Sequence, residues 1–95
     1  MRDLIQSSAY KKDIKRELKG QHRKTIEGDL GPIVTALCED IRLPKKNRDH
    51  ALTGDLKGLR DCHVYPDLVL IYEKVGGVDD ELHLARLGSH SELGL

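Results

Sequence analysis

The sequence predicts an α+β fold in which two N-terminal helices pack on one face of a small, mostly antiparallel sheet. Three observations carry this. Apolar residues recur at helical spacing through the first 41 positions. Short apolar or alternating runs, separated by turn residues, fill positions 59–88. A length of 95 residues allows one domain, 1–95, with a small core.

Residues 3–6 are expected to form a short first strand, and Ser7 or Ser8 caps the helix that follows. Tyr10, Ile14 and Leu18 recur every four residues and share one helical face. Lys11, Lys12, Lys15, Arg16 and Lys19 occupy the rest, with Asp13 and Glu17 as i,i+4 partners. Gly20 is a natural stop.

A second helix runs to about Asp40, with Ile33, Val34, Leu37, Cys38 and Ile41 as its buried stripe. Proline is tolerated in a first helical turn and costly further in. Gly31-Pro32 therefore places the start of the regular helix between Asp29 and Pro32. Ile26 and Leu30 join the stripe only if an earlier turn survives. Pro44 closes this region, and the polar stretch KKNRDHALTGDLKG over 45–58 is a long connection of the sort that often carries function.

The last third is sheet. LRDCHVY alternates, Pro66-Asp67 marks a turn, and LVLIY is apolar throughout, as a central strand is. Gly76-Gly77 and Asp79-Asp80 mark the next turn, ELHLARL is the final strand, and GSHSELGL closes the chain.

With 38% apolar and 34% charged residues the composition is that of a folded soluble protein, not a disordered one. No apolar run approaches the ~20 residues of a membrane span, and the N-terminus has no apolar signal-peptide segment, so a cytoplasmic location is expected. Cys38 and Cys62 are too far apart in sequence for a metal-type pair, and buried thiols are expected of them. Net charge is zero, but residues 1–48 carry 12 basic and 7 acidic groups (net +5), and residues 49–95 carry 4 and 9 (net −5). A dipolar chain of this kind can present a basic face to RNA. Lys11, Lys12, Lys15, Arg16 and Lys19, with Arg60 further on, are the candidate RNA contacts.

Four of the five histidines follow residue 48. His50 falls in the long connection, Asp61 and His63 on one strand face, Asp67 at the turn, Arg86 on the last strand and His90 after it. Metal-free RNA cleavage needs a base for the 2′-hydroxyl, an acid for the departing 5′-oxygen and positive charge at the phosphate. Histidine suits both proton transfers, a carboxylate fixes its tautomer, and an arginine fork fits a phosphate. Singly, each residue has an ordinary structural role: a loop histidine, a cross-strand pair, a turn aspartate, a surface ion pair. His22 and His83 read as surface residues. A metal centre is the rival chemistry, since these side chains are metal ligands. No HExxH or other tight pair is present, so no metal and no cofactor are expected.

The segment DHALTGDLKGLRDCHVYPDLVLIYEK, followed by LARLGSHSELG, resembles the YafQ branch of the RelE/ParE toxin superfamily, with the likeness strongest over Asp49–Tyr72 and Arg86–Leu93. The resemblance implies a RelE-like fold and the toxin half of a toxin–antitoxin pair. Such a toxin enters the 30S A site of the ribosome, cleaves mRNA to a 2′,3′-cyclic phosphate and is neutralised by a cognate antitoxin. By resemblance the catalytic set is His50, Asp61, His63, Asp67, Arg86 and His90. His90 is the general acid, and His50 or His63 the base. Asp61 and Asp67 orient the base, and Arg86 steadies phosphate charge. Gyrase-directed relatives lack this set. Two positions depart from the pattern: Gly94 stands where the family usually has an aromatic residue, and Leu68 where it often has Trp. The loss of a base-stacking ring at 94 implies weaker cleavage or altered codon choice, and leaves a catalytically weak binding protein as the alternative.

Overall fold

The computed structural model describes residues 1–76 and 80–95. Strand β1 (Asp3–Gln6) leads into helix α1 (Ser8–Glu17) and helix α2 (Ile26–Cys38). A two-residue strand β2 (His50–Ala51) precedes β3 (Arg60–Tyr65), β4 (Leu68–Val75), β5 (Glu81–Gly88) and a short helix α3 (His90–Leu93). The strand order is β1-β5-β4-β3-β2, with β1 parallel to β5 and every other pair antiparallel. The expected α+β arrangement is the one observed. Gly77 and Asp79 of the expected turn lie outside the described residues.

Ser7 caps α1, its hydroxyl accepting the Tyr10 N–H at 2.9 Å. Helix α2 starts earlier than its proline suggests and holds Pro32 in its interior. Ile26 is fully buried and Leu30 is 7% exposed. Burying the two side chains is worth ~3–6 kcal/mol, against the ~3 kcal/mol cost of an interior proline, so the first turns survive. The far end corrects the expected stripe. The helix stops at Cys38, Asp40 takes a left-handed φ of 56°, and Ile41 is left 54% exposed. The Ile41 N–H returns to the Ala36 carbonyl at 2.8 Å. Leu18, too, is more exposed than its place on the stripe implies.

The main core lies between the helices and one sheet face: Tyr10, Ile26, Leu30, Ile33 and Leu37 meet Cys62, Val64, Leu70, Tyr72, Leu82, Leu84 and Leu87. Cys38 and Cys62 are buried free thiols, and burial pushes Cys62 up to about 12. The other sheet face carries Asp61, Val69 and Ile71, also buried. Helix α3 closes against this region: a side chain at Gly88 would meet Leu93 Cδ2 at 3.3 Å.

Candidate active site

Strand register assembles the site. His50 pairs with Asp61, Asp61 with Ile71, and Ile71 with Arg86, forming one row across four strands. Paired residues of an antiparallel sheet share a face, so these side chains rise from the face opposite the main core. The next row runs His63, Val69, Gly88. His90, on the first turn of α3, sets its ring edge-on to that of His63, with centroids 5.1 Å apart. Helix α3 is held by a capping box in which Ser89 and Glu92 exchange hydrogen bonds of 2.9 and 3.1 Å.

His50, Asp61, His90, Thr53 and Asp55 line a cleft of about 430 Å³ whose remaining wall is Leu52, Leu56, Gly94 and Leu95. His50 Nδ1 lies 2.7 Å from the Arg48 carbonyl and 3.1 Å from Asp61 Oδ1. A carbonyl only accepts, so Nδ1 carries the proton and the neutral ring keeps its lone pair on Nε2. The contact with Asp61 is then electrostatic, and Asp61 Oδ1 is buried with no hydrogen-bond partner. Burial raises the Asp61 carboxyl above its ordinary value, against the opposing pull of His50, His63 and His90. Burial also lowers His63, with His90 and Arg48 adding to the effect and Asp61 resisting it.

Two residues grouped with this set by sequence are engaged elsewhere. Asp67 accepts from Gln21 Nε2 at 2.6 Å and lies 3.1 Å from His22 Nε2. The rise from Asp61 to Tyr65 alone is ~13 Å at ~3.3 Å per residue, so Asp67 does not reach the His50–Asp61 pair. Arg86 shares the row but gives Nε to Asp13 Oδ2 at 2.8 Å. Among the expected RNA contacts, Lys11, Lys12, Lys15 and Lys19 are exposed. Arg16 is taken up by Asp13, Glu17, Glu92 and the Leu87 carbonyl, and Arg60 by Asp49 and Tyr72.

Sequence reasoning missed several supports. His22, expected to be an ordinary surface residue, stacks on Tyr65 at 4.1 Å and holds Asp67. Asn47, buried inside the polar connection, donates to the His63 carbonyl at 2.7 Å beyond the end of β2. Asp13 looked like a surface i,i+4 partner and is 4% exposed. Only their position among polar neighbours is visible in sequence, and it signals exposure.

Residues 2–94 match the family model for the bacterial toxin of type II toxin–antitoxin systems, YafQ. The chain belongs to the YafQ toxin family. The mRNA interferase toxin YafQ of Escherichia coli K12 is 38% identical over 97% of this chain and 95% of its own. A Haemophilus influenzae protein that also carries the toxin name YafQ is 39% identical over 92% of this chain and 90% of its own. Among solved structures, a copper-bound mutant toxin from Helicobacter pylori superposes with a TM-score of 0.84 at 35% identity, covering 98% of this chain and 99% of that one. The E. coli DinJ–YafQ complex gives 0.80 at 35% identity, with 98% of each chain covered. The YafQ fold is thus present over nearly the whole sequence. No helix among the described residues is long and apolar enough to cross a membrane.

Proposed function

We propose that this YafQ-family chain is a ribosome-dependent endoribonuclease that cuts mRNA in the A site by metal-independent acid–base catalysis and is neutralised by a cognate antitoxin in the cytoplasm. The observation that supports it most is the meeting of His50, Asp61 and His90 around one cleft, with the His63 ring set against that of His90. His50 Nε2 takes the proton from the 2′-hydroxyl, whose oxygen attacks the adjacent phosphorus. The bond to the 5′-oxygen breaks, and His90 gives that oxygen its proton, leaving a 2′,3′-cyclic phosphate and a 5′-hydroxyl. Asp61 stabilises the imidazolium that forms on His50. His63, its ring against His90, holds the acid in place. Arg86, steered by Asp13, offers its remaining guanidinium donors to the phosphate charge. The antitoxin assignment rests on the DinJ partner of the E. coli relative.

The test is primer extension on a defined mRNA with ribosomes stalled at known codons, run with and without ribosomes and with EDTA-treated protein. Ribosome-dependent cuts that survive EDTA are expected, and His90→Ala should nearly abolish them while ribosome binding persists. Unchanged cutting by His90→Ala removes it as the acid; no cutting by folded wild-type protein leaves a binding scaffold. Cuts lost with EDTA would favour the metal reading that the copper-bound relative raises.

A further inference from the structure

Strand β2 is only two residues long, and His50 is one of them. A ladder of two pairs specifies register weakly, and a slip by one residue would turn His50 to the opposite sheet face. Something besides the ladder must fix it. The residue before His50 supplies a candidate. The Tyr72 hydroxyl donates to Asp49 Oδ1. Arg60 Nε donates to the same oxygen at 3.2 Å and lies 3.3 Å from the Tyr72 oxygen. Tyr72 is fully buried in the main core. Arg60 pairs with Tyr72 and Ala51, one row along from the row that holds His50 and Asp61.

Neighbouring residues of an extended chain send their side chains to opposite faces. Holding Asp49 on the core side therefore holds His50 on the cleft side. We infer that Asp49 is a positioning residue for His50, clamped by Tyr72 and Arg60 so that the short β2 strand keeps the imidazole against Asp61 with Nε2 facing the cleft. This rests on His50 acting in RNA cleavage, but the clamp itself is a statement about the ring. A second anchor lies upstream, where Asn47 holds the His63 carbonyl. Between the two anchors Arg48 adopts a left-handed φ of 47°, and its carbonyl fixes His50 Nδ1. The stretch from Asn47 to Ala51 is thus a strap tied at both ends, with the histidine on its free side.

The experiment compares wild type with Tyr72→Phe, Asp49→Ala and Asp49→Asn. Tyr72→Phe keeps the buried ring and removes only the hydroxyl. Asp49→Asn keeps an acceptor oxygen for the same donors. Single-turnover mRNA cleavage on ribosomes, ribosome affinity, thermal unfolding and the His50 tautomer by long-range ¹H–¹⁵N correlation are read on each. Tyr72→Phe and Asp49→Ala should slow cleavage roughly 10- to 100-fold, the scale expected of a displaced catalytic group, with ribosome affinity unchanged. Both should turn the single Nδ1–H tautomer of His50 into a mixture, and Asp49→Asn should restore most of both signals. A folded Tyr72→Phe or Asp49→Ala variant with wild-type cleavage and an unchanged His50 spectrum overturns the clamp. If Tyr72→Phe fails to fold, Asp49→Ala decides, because the Asp49 side chain is 28% exposed and its loss opens no core cavity. If the wild type cuts no RNA, the proposed activity falls, and the His50 spectra alone still decide the clamp.

Discussion

Asp13 accepts the backbone N–H of Leu87 through its carboxylate at 3.0 Å, a bond between residues 74 apart in the chain. One turn along α1, Arg16 donates to the Leu87 carbonyl at 2.7 Å. Strand β1 ends at Gln6, paired with Leu84. Beyond it, two side chains of a helix supply the donor and acceptor that a longer β1 would have given. The edge of β5 is closed without further strand, and the Arg86 side chain is drawn to the same carboxylate.

Replacing Asp13 should therefore cost stability first. Asp13→Ala strands the Leu87 N–H, a loss of ~1–3 kcal/mol, seen as a lower midpoint in urea. Burial alone would raise the Asp13 carboxyl, but the Arg86 and Leu87 hydrogen bonds and the charges of Arg86 and Arg16 outweigh it and hold it below the ordinary value. A carboxyl lowered on folding adds stability that is complete above its unfolded value near 4. That contribution fades as pH falls through the lower folded value. The gap between wild type and Asp13→Ala should narrow in acid, and a gap that is constant from pH 7 to pH 3 would rule the ion pair out as its source.

His63 should titrate below the usual histidine range in an NMR pH series, because burial and the neighbouring His90 disfavour its charged form while Asp61 favours it. Asp61→Asn should lower it further, and His90→Ala should raise it. A histidine lowered on folding contributes stability that is complete above its unfolded value near 6.5 and is lost as pH falls through the folded one. A His63 that rises in Asp61→Asn, or falls in His90→Ala, would dismantle the electrostatic picture of the site.

The cations of α1 should separate into two kinds. Lys11 and Lys15 are exposed, so Lys11→Ala with Lys15→Ala should leave the thermal midpoint in place. If they touch RNA phosphates, the salt slope of ribosome binding should drop by roughly 1–2. Arg16 is bound to Asp13, Glu92 and Leu87, so Arg16→Ala should lower the midpoint instead. Light-scattering or filter-binding titrations across a salt series, beside thermal melts, distinguish the two.

An aromatic side chain at Gly94 should strengthen the grip on mRNA. It has a left-handed φ of 71° and open space around its missing side chain, at the cleft wall. Gly94→Phe carries a left-handed strain cost of ~1–2 kcal/mol and offers a ring for base stacking worth ~1–3 kcal/mol. The expected result is a lower KM for ribosome-bound mRNA, with a small loss in thermal midpoint. An unchanged KM would show that no base reaches this wall.

Much of the fold was legible because it is written in short-range order. Four-residue spacing of Tyr10 and Ile14, the Ser7 cap, the apolar run from Leu68 and the Pro66-Asp67 turn each act within a few residues. Gathering His50, Asp61, His63 and His90 was legible only through the ordered motifs shared with a known family, since their spacing alone fits a solvated strand and loop. Pro32 misplaced the start of α2 because a local backbone penalty was outweighed by the burial of Ile26 and Leu30, whose partners are remote strands.

By itself, then, the sequence determined the order and kind of the main helices and strands and the family to which the chain belongs, while the two-residue β2 inside the polar connection and the α3 turn in the closing GSHSELGL went unread. Tertiary structure alone decided who holds whom. Asp67 went to Gln21 and His22, Arg86 to Asp13, Arg60 to Asp49 and Tyr72, and Asn47 to the His63 carbonyl. Each is a charged or polar group whose partner is set by strand register and helix docking. Hydrogen bonds and ion pairs act over a few ångströms, and no short-range pattern specifies which distant segment will stand at that distance.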